Sequence, residues 1–204
     1  MEEEALSMKV LGIYGSPRKN GNSDLLLDQV LEGAKSAGAK IKKIYVRDLK
    51  ISGCRECGGC DKTGECVIQD EMKNIYPSLW DSKIIFLSSP IFFYGLPAQA
   101  KMLVDRSQAM WSKRVLEKPP DQRKIYNHGR GYLIAVGATK GKNLFEGIQL
   151  TAKYFFDALD KSYGGGLFFR AVEGKGNIAD HTTALQEAYD LGVTAVRNTP
   201  KTKR

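Results

Sequence analysis

The sequence predicts an α/β fold, a five-stranded parallel sheet in the order 2-1-3-4-5 with helices on both faces. Three observations carry this. Short apolar runs recur along the chain, segments of helical spacing alternate with them, and the length of 204 residues suits one domain. Strands separated by helical segments pair in parallel through right-handed crossovers.

The elements follow in order. KVLGIY, residues 9–14, is a continuous apolar run ended by Gly15, the pattern of a strand buried on both faces. SDLLLDQVLEGAKSAG places Leu27, Val30, Leu31 and Ala34 on one helical stripe, with Gly38 as a stop. IKKIYVRDL alternates and predicts the second strand. A cysteine-rich insertion, residues 50–69, comes next, and DEMKNIYPSLW predicts a short helix weakened by Pro77. KIIFLSSP is the third strand, AQAKMLVDRSQAM a helix, and GYLIAVGAT the fourth strand. NLFEGIQLTAKYFFDALD aligns Leu144, Ile148, Ala152, Phe155 and Leu159, GLFFRAVEG is the fifth strand, and TALQEAYDLGVTAV closes the chain as a helix. Residues 111–130 show no clean period and carry Pro119 and Pro120, so they are expected to form a loop, lid or arm. The expected organisation is a single flavodoxin-like domain over residues 1–204, with ligands outside the carboxyl ends of the strands near the switch between strands 1 and 3.

The hydrophobic and charged contents, 42% and 26%, are those of a globular chain. No apolar run reaches the roughly eighteen residues of a membrane span. The acidic start MEEEALSMKV does not have the form of a secretory signal, so a cytoplasmic location is expected, and Met8 is a candidate start of the fold. The net charge of +8 suits an anionic cofactor or partner. It is not gathered into one block, so a nucleic-acid-binding or regulatory module is kept only as a rival reading.

Three loops fall at the carboxyl ends of the strands. GSPRKNGNSD joins strand 1 to its helix. Ser16, Asn22 and Ser23 offer short hydrogen-bonding groups, Arg18 a planar cation, and the helix start free N–H groups, which together make a phosphate cradle. A plain polar turn with an N-cap has similar residues, but the position at the switch point favours the cradle. SSPIFFYGLP follows strand 3, broken by Pro90, and its Ile91, Phe92, Phe93 and Tyr94 suit the wall of a planar ring, with at least one Phe expected in the core. VGATKGKN is Gly-rich and offers Thr139 and Lys140 to a ring edge. These features together suit a flavin mononucleotide, FMN.

All four cysteines, Cys54, Cys57, Cys60 and Cys66, lie in CRECGGCDKTGEC. Disulfides disagree with an expected reducing compartment and with two-residue spacings. Zinc commonly takes paired CxxC units separated by a longer spacer. A [4Fe–4S] cluster matches the CxxCxxC opening, with Cys66 as fourth ligand after a turn at Gly64. The cluster is weighted above zinc, and zinc above disulfides.

GSPRKNGNS, the SSPIFFYGLPAQAKMLVDR segment and the CxxCxxCxxxxxC segment resemble the iron–sulfur flavoproteins, within the NAD(P)H-dependent FMN reductases. The likeness covers about residues 9–169. It implies that Ser16, Arg18, Asn22 and Ser23 hold the FMN phosphate. Pro90, Ile91, Phe92 and Tyr94 then line the isoalloxazine, and Ala138, Thr139 and Lys140 serve a similar role. The resemblance likewise implies that the four cysteines hold the cluster. The implied activity is electron transfer between a donor, ferredoxin or NAD(P)H, the cluster, FMN and an acceptor, in a homodimer or homotetramer. A reductase of FMN or quinones without a redox cluster is the alternative. No side-chain general base is expected. His128 and His181 are expected at the surface, as are Lys101, Asp105 and Arg106 on the helix after the second loop.

Overall fold

The computed structural model describes residues 8–200; the acidic start over residues 1–7 and the last four residues of the basic tail lie outside the described residues. The five strands are β1 (Lys9–Tyr14), β2 (Lys40–Tyr45), β3 (Ile84–Pro90), β4 (Arg130–Val136) and β5 (Ser162–Phe169). They form one sheet in the order β2-β1-β3-β4-β5, every pair parallel. The central strands β1, β3 and β4 are apolar without alternation because both their faces are covered.

Among the described residues six α-helices cover the sheet: α1 (Asn22–Ser36), α2 (Met72–Asp81), α3 (Ala98–Arg106), α4 (Gln108–Glu117), α5 (Glu146–Ala158) and α6 (Ala184–Arg197). One core layer joins Val30 and Leu31 of α1 and Ala188 and Ala195 of α6 to Val10, Phe86 and Ile134. The opposite layer joins Leu79, Leu103, Met110 and Phe155 from α2, α3, α4 and α5 to Leu11, Ile85 and Leu133. Helices α1 and α6 cross backbone to backbone. A methyl on Gly33 would lie 2.0 Å from the Tyr189 carbonyl oxygen, and one on Gly192 1.9 Å from that of Val30. Helix α2 runs through Pro77 without ending there.

The segment 111–130 departs from expectation. Its first seven residues belong to α4, which starts after a break at Ser107 and continues to Glu117. The helical stripe was invisible to hydropathy because two of its buried positions are polar, Ser112 and Arg114, 2% and 3% exposed. Arg114 pairs with Asp157 and Asp160 at the end of α5. The loop after α4 is pinned to the same acids: Lys118 Nζ lies 2.7 Å from Asp160, and Lys124 Nζ and Tyr126 Oη lie 2.9 and 2.7 Å from Asp157. Tyr126 is accordingly pushed up to about 12 by burial and by Asp157.

Candidate functional site

The loop from β1 to α1 is built by close backbone approach. Gly15 N–H donates to the Ser88 carbonyl at 2.8 Å, and a methyl on Gly15 would sit 2.7 Å from that oxygen. The turn then closes on Ser16, whose Oγ accepts from Arg18 N–H at 3.0 Å. Helix α1 starts after Gly21, which offers no side-chain cap, so the first N–H groups of the helix face the loop unsatisfied by a side chain.

This loop opens on a cavity of about 350 Å3, the size of a small cofactor site. Ser16, Arg18, Asn22 and Ser23 line one end, Pro90, Ile91 and Phe92 another, and Ala138 with Val136 a third. The hydroxyl residues Ser16 and Ser23 are 3% and 2% exposed, so polar groups are held out of water where an anion would lie. The cradle therefore fits a phosphate-bearing planar cofactor in residue type, size and position at the strand switch.

Within the expected set the residues divide. Asn22 lines the cavity, but its amide is engaged elsewhere. Its Nδ2 donates to the Gly174 carbonyl at 2.8 Å, and its Oδ1 accepts from Gly176 and Ile178 N–H. Asn22 thus fastens the loop after β5 to the cradle. Tyr94, Thr139 and Lys140 are exposed and lie outside the cavity wall. Neither Phe of the aromatic run lies in the core as expected of at least one: Phe92 is 49% exposed and Phe93 fully exposed. Phe93 and Tyr94 occupy a two-residue turn with φ of +48° and +62°, closed by paired backbone bonds between Phe92 and Gly95. Such a turn ordinarily prefers Asn-Gly, and each left-handed aromatic stores roughly 1–2 kcal/mol.

The structure adds residues that the sequence reading missed. Val172 and Glu173, beyond β5, complete the cavity. Arg47, in the short 3-10 turn Val46–Asp48, places Nη1 2.9 Å from Asp24 Oδ2 and 3.2 Å from the Ser16 carbonyl. Asp24 is 2% exposed, its other oxygen has no partner, and burial raises its carboxyl pKa despite Arg47. No local motif marked this pair; only the adjacency of β1 and β2 brings it together.

The cysteine insertion leaves β2 at the carboxyl edge and packs against the α3–α4 junction. All four thiols are free and line one cavity of about 660 Å3, together with Arg106, Ala109 and Trp111. Among the described residues no three metal-ligating side chains converge on a point for one ion. Gly64 makes the expected turn, with φ of +72° and its N–H donating to the Cys60 carbonyl at 2.8 Å. The cysteine cavity and the phosphate-cradle cavity share no lining residue.

Arg106 corrects the expectation of a surface residue: it is 1% exposed. Its Nη1 donates to the Ser52 carbonyl at 3.0 Å and to Asp70 Oδ2 at 2.7 Å, and its Nη2 to Asp70 Oδ1 at 3.1 Å. It clamps the two roots of the cysteine loop. Burial acts to raise the Asp70 pKa, but Arg106 and the N–H groups of Ser52 and Met72 outweigh it and leave it lowered. Lys101 and Asp105 form the expected exposed i,i+4 pair at 2.7 Å. His181 is exposed, whereas His128 is half-buried, packed on Trp80 at 4.2 Å, with its pKa lowered by burial and by Lys161.

A sequence model of the NADPH-dependent FMN reductase family matches residues 8–144. The chain belongs to that family. It is similar to an iron–sulfur flavoprotein of Archaeoglobus fulgidus, 37% identical over 99 residues, which are 48% of this chain and 45% of the relative. A second iron–sulfur flavoprotein, from Methanocaldococcus jannaschii, is 30% identical over 162 residues, 79% of this chain and 77% of the relative. The chain spans about half the length of the curated relatives it matches at highest identity. Among solved structures, the NAD(P)H:quinone oxidoreductase of Methanothermobacter marburgensis superposes with a TM-score of 0.65 at 12% identity, covering 92% of this chain and 96% of that one. That likeness is one of fold. No described helix is long and apolar enough to cross a membrane.

Proposed function

We propose that this chain is a flavin-dependent oxidoreductase that binds FMN in the cavity at the β1–β3 switch and a [4Fe–4S] cluster on its four cysteines. The carrying observation is that one sheet presents a phosphate cradle with an apolar wall and, separately, a cavity lined by every thiol in the chain. FMN supplies hydride and single-electron chemistry, and an iron–sulfur cluster supplies single-electron chemistry.

The chain's own residues bind and orient. Arg18 and the N-terminus of α1 meet the phosphate, with the Ser16 and Ser23 hydroxyls beside them. Pro90, Ile91 and Phe92 would flank the ring. Tyr94, Thr139 and Lys140 stand outside that wall. Cys54, Cys57, Cys60 and Cys66 line one cavity and would supply the ligands of the cluster, and their CxxCxxC opening favours it over zinc. A nicotinamide or ferredoxin donor and a homo-oligomeric assembly belong to the same reading, drawn from the family, and a cytoplasmic location is kept from the form of the acidic start.

The test uses protein prepared without oxygen, measuring FMN, iron and acid-labile sulfide per chain. Arg18→Ala removes a charge-assisted bond of about 1.5–3 kcal/mol, so FMN affinity falls by at least roughly tenfold while iron is kept. Cys57→Ala loses iron and keeps FMN. Wild type with zinc and no sulfide overturns the cluster, and unchanged FMN affinity in Arg18→Ala overturns the phosphate cradle.

A further inference from the structure

Two buried polar side chains stand beside the cysteines. Ser112 lies on α4, 2% exposed, with its Oγ 3.5 Å from Cys60 Sγ. Buried helical serines commonly bond back to the carbonyl four residues earlier. Ser107 does so to Leu103 at 3.1 Å and Ser82 to Ser78 at 2.7 Å. Ser112 turns its hydroxyl to the sulfur instead. Arg106, on α3, lines the cysteine cavity, and its buried Nε has no hydrogen-bond partner in the structure. Its fork holds Ser52, Asp70 and, at 3.4 Å, the Ile68 carbonyl, so the guanidinium, paired with Asp70, is fixed at the neck of the loop in the cavity that Cys66 also lines.

Hydrogen bonds to ligand sulfurs and nearby positive charge stabilise the extra electron of a reduced iron–sulfur group, and so raise its potential. We infer that Ser112 and Arg106 are positioning residues of the cysteine site, Arg106 by its clamp on the loop and Ser112 by its hydrogen bond to Cys60, which raises the reduction potential of the group the thiolates hold. This rests on the iron–sulfur reading proposed above. The reduction concerned is the uptake of one electron from a chemical reductant, with no bond made or broken in the chain.

Ser112→Ala removes one oxygen without touching a thiol. Anaerobic potentiometric titration, followed by visible absorption, is expected to give full iron per chain and a more negative midpoint for the cluster, with the FMN midpoint unmoved. Arg106→Lys keeps the charge and loses the fork; it is expected to release iron to a chelator roughly tenfold faster, with a smaller shift of midpoint. An unshifted cluster midpoint in Ser112→Ala at full iron overturns the inference and leaves the cluster reading intact. A wild-type chain without iron or sulfide overturns the cluster reading, and the inference falls with it. Because Ser112→Ala leaves the Arg106–Asp70 pair in place, it keeps the test decisive even where Arg106→Lys does not fold.

Discussion

Arg47→Met tests whether the phosphate cradle is shaped from the neighbouring strand. The change keeps an unbranched apolar stem and removes three interactions: the ion pair to Asp24 at 2.9 Å, the bond to the Ser16 carbonyl at 3.2 Å, and the stacking of the guanidinium 4.8 Å over Tyr45. The Asp24 carboxylate stays buried, with the Asn20 N–H at 3.1 Å and an already unpartnered Oδ1. Removing one partner of a buried pair costs about 3–5 kcal/mol, which for a chain of this length lowers the melting temperature on the order of 10 °C. The loss also depends on pH. The Asp24 pKa is raised by burial even with Arg47 beside it, and without Arg47 it rises further. The folded variant then holds a proton that the unfolded chain has released, so its stability falls as pH rises from the ordinary aspartate range through the raised value. The gap from wild type is therefore wider near pH 8 than near pH 5. Urea unfolding followed by tryptophan fluorescence at both values measures it, and FMN titration reports the cradle. A gap under about 1 kcal/mol, or one that widens toward pH 5, refutes the reasoning.

Two further outcomes follow from the core. Gly131→Ala on β4 places a methyl 2.1 Å from Cδ1 of Phe156, a ring with no exposed surface, so the packed layer must shift; a loss of about 1–3 kcal/mol in chemical denaturation is expected, and an unchanged midpoint counts against it. Lys161 is fully buried, its Nζ 3.1 Å from the Trp80 carbonyl, and burial with Lys83 pulls its pKa down to about 7. Between that value and the ordinary lysine range the unfolded chain binds the extra proton, so this group makes the protein more stable as pH rises. Lys161→Met removes that dependence and gains most over wild type near pH 6, least near pH 9, as thermal melts would show; the opposite trend refutes it.

The sequence by itself determined the sheet. Apolar runs such as those of β1, β3 and β4 and the stripe of α1 report burial of aliphatic side chains, which is a local property of composition and period. The order β2-β1-β3-β4-β5 follows because helices that alternate with parallel strands leave few ways to cover both faces. The cysteine spacing and the polar turn after β1 were likewise legible, being contiguous. Tertiary structure decided what is polar and buried. The helix α4 hides in a stretch without apolar period because Ser112 and Arg114 fill buried positions whose partners, Cys60, Asp157 and Asp160, lie far away in the chain. The same holds for Arg47 with Asp24, Arg106 with Asp70, and Asn22 with the loop at Gly174. A charged or amide side chain looks solvated in sequence, and only the partner that satisfies it in the folded chain permits its burial.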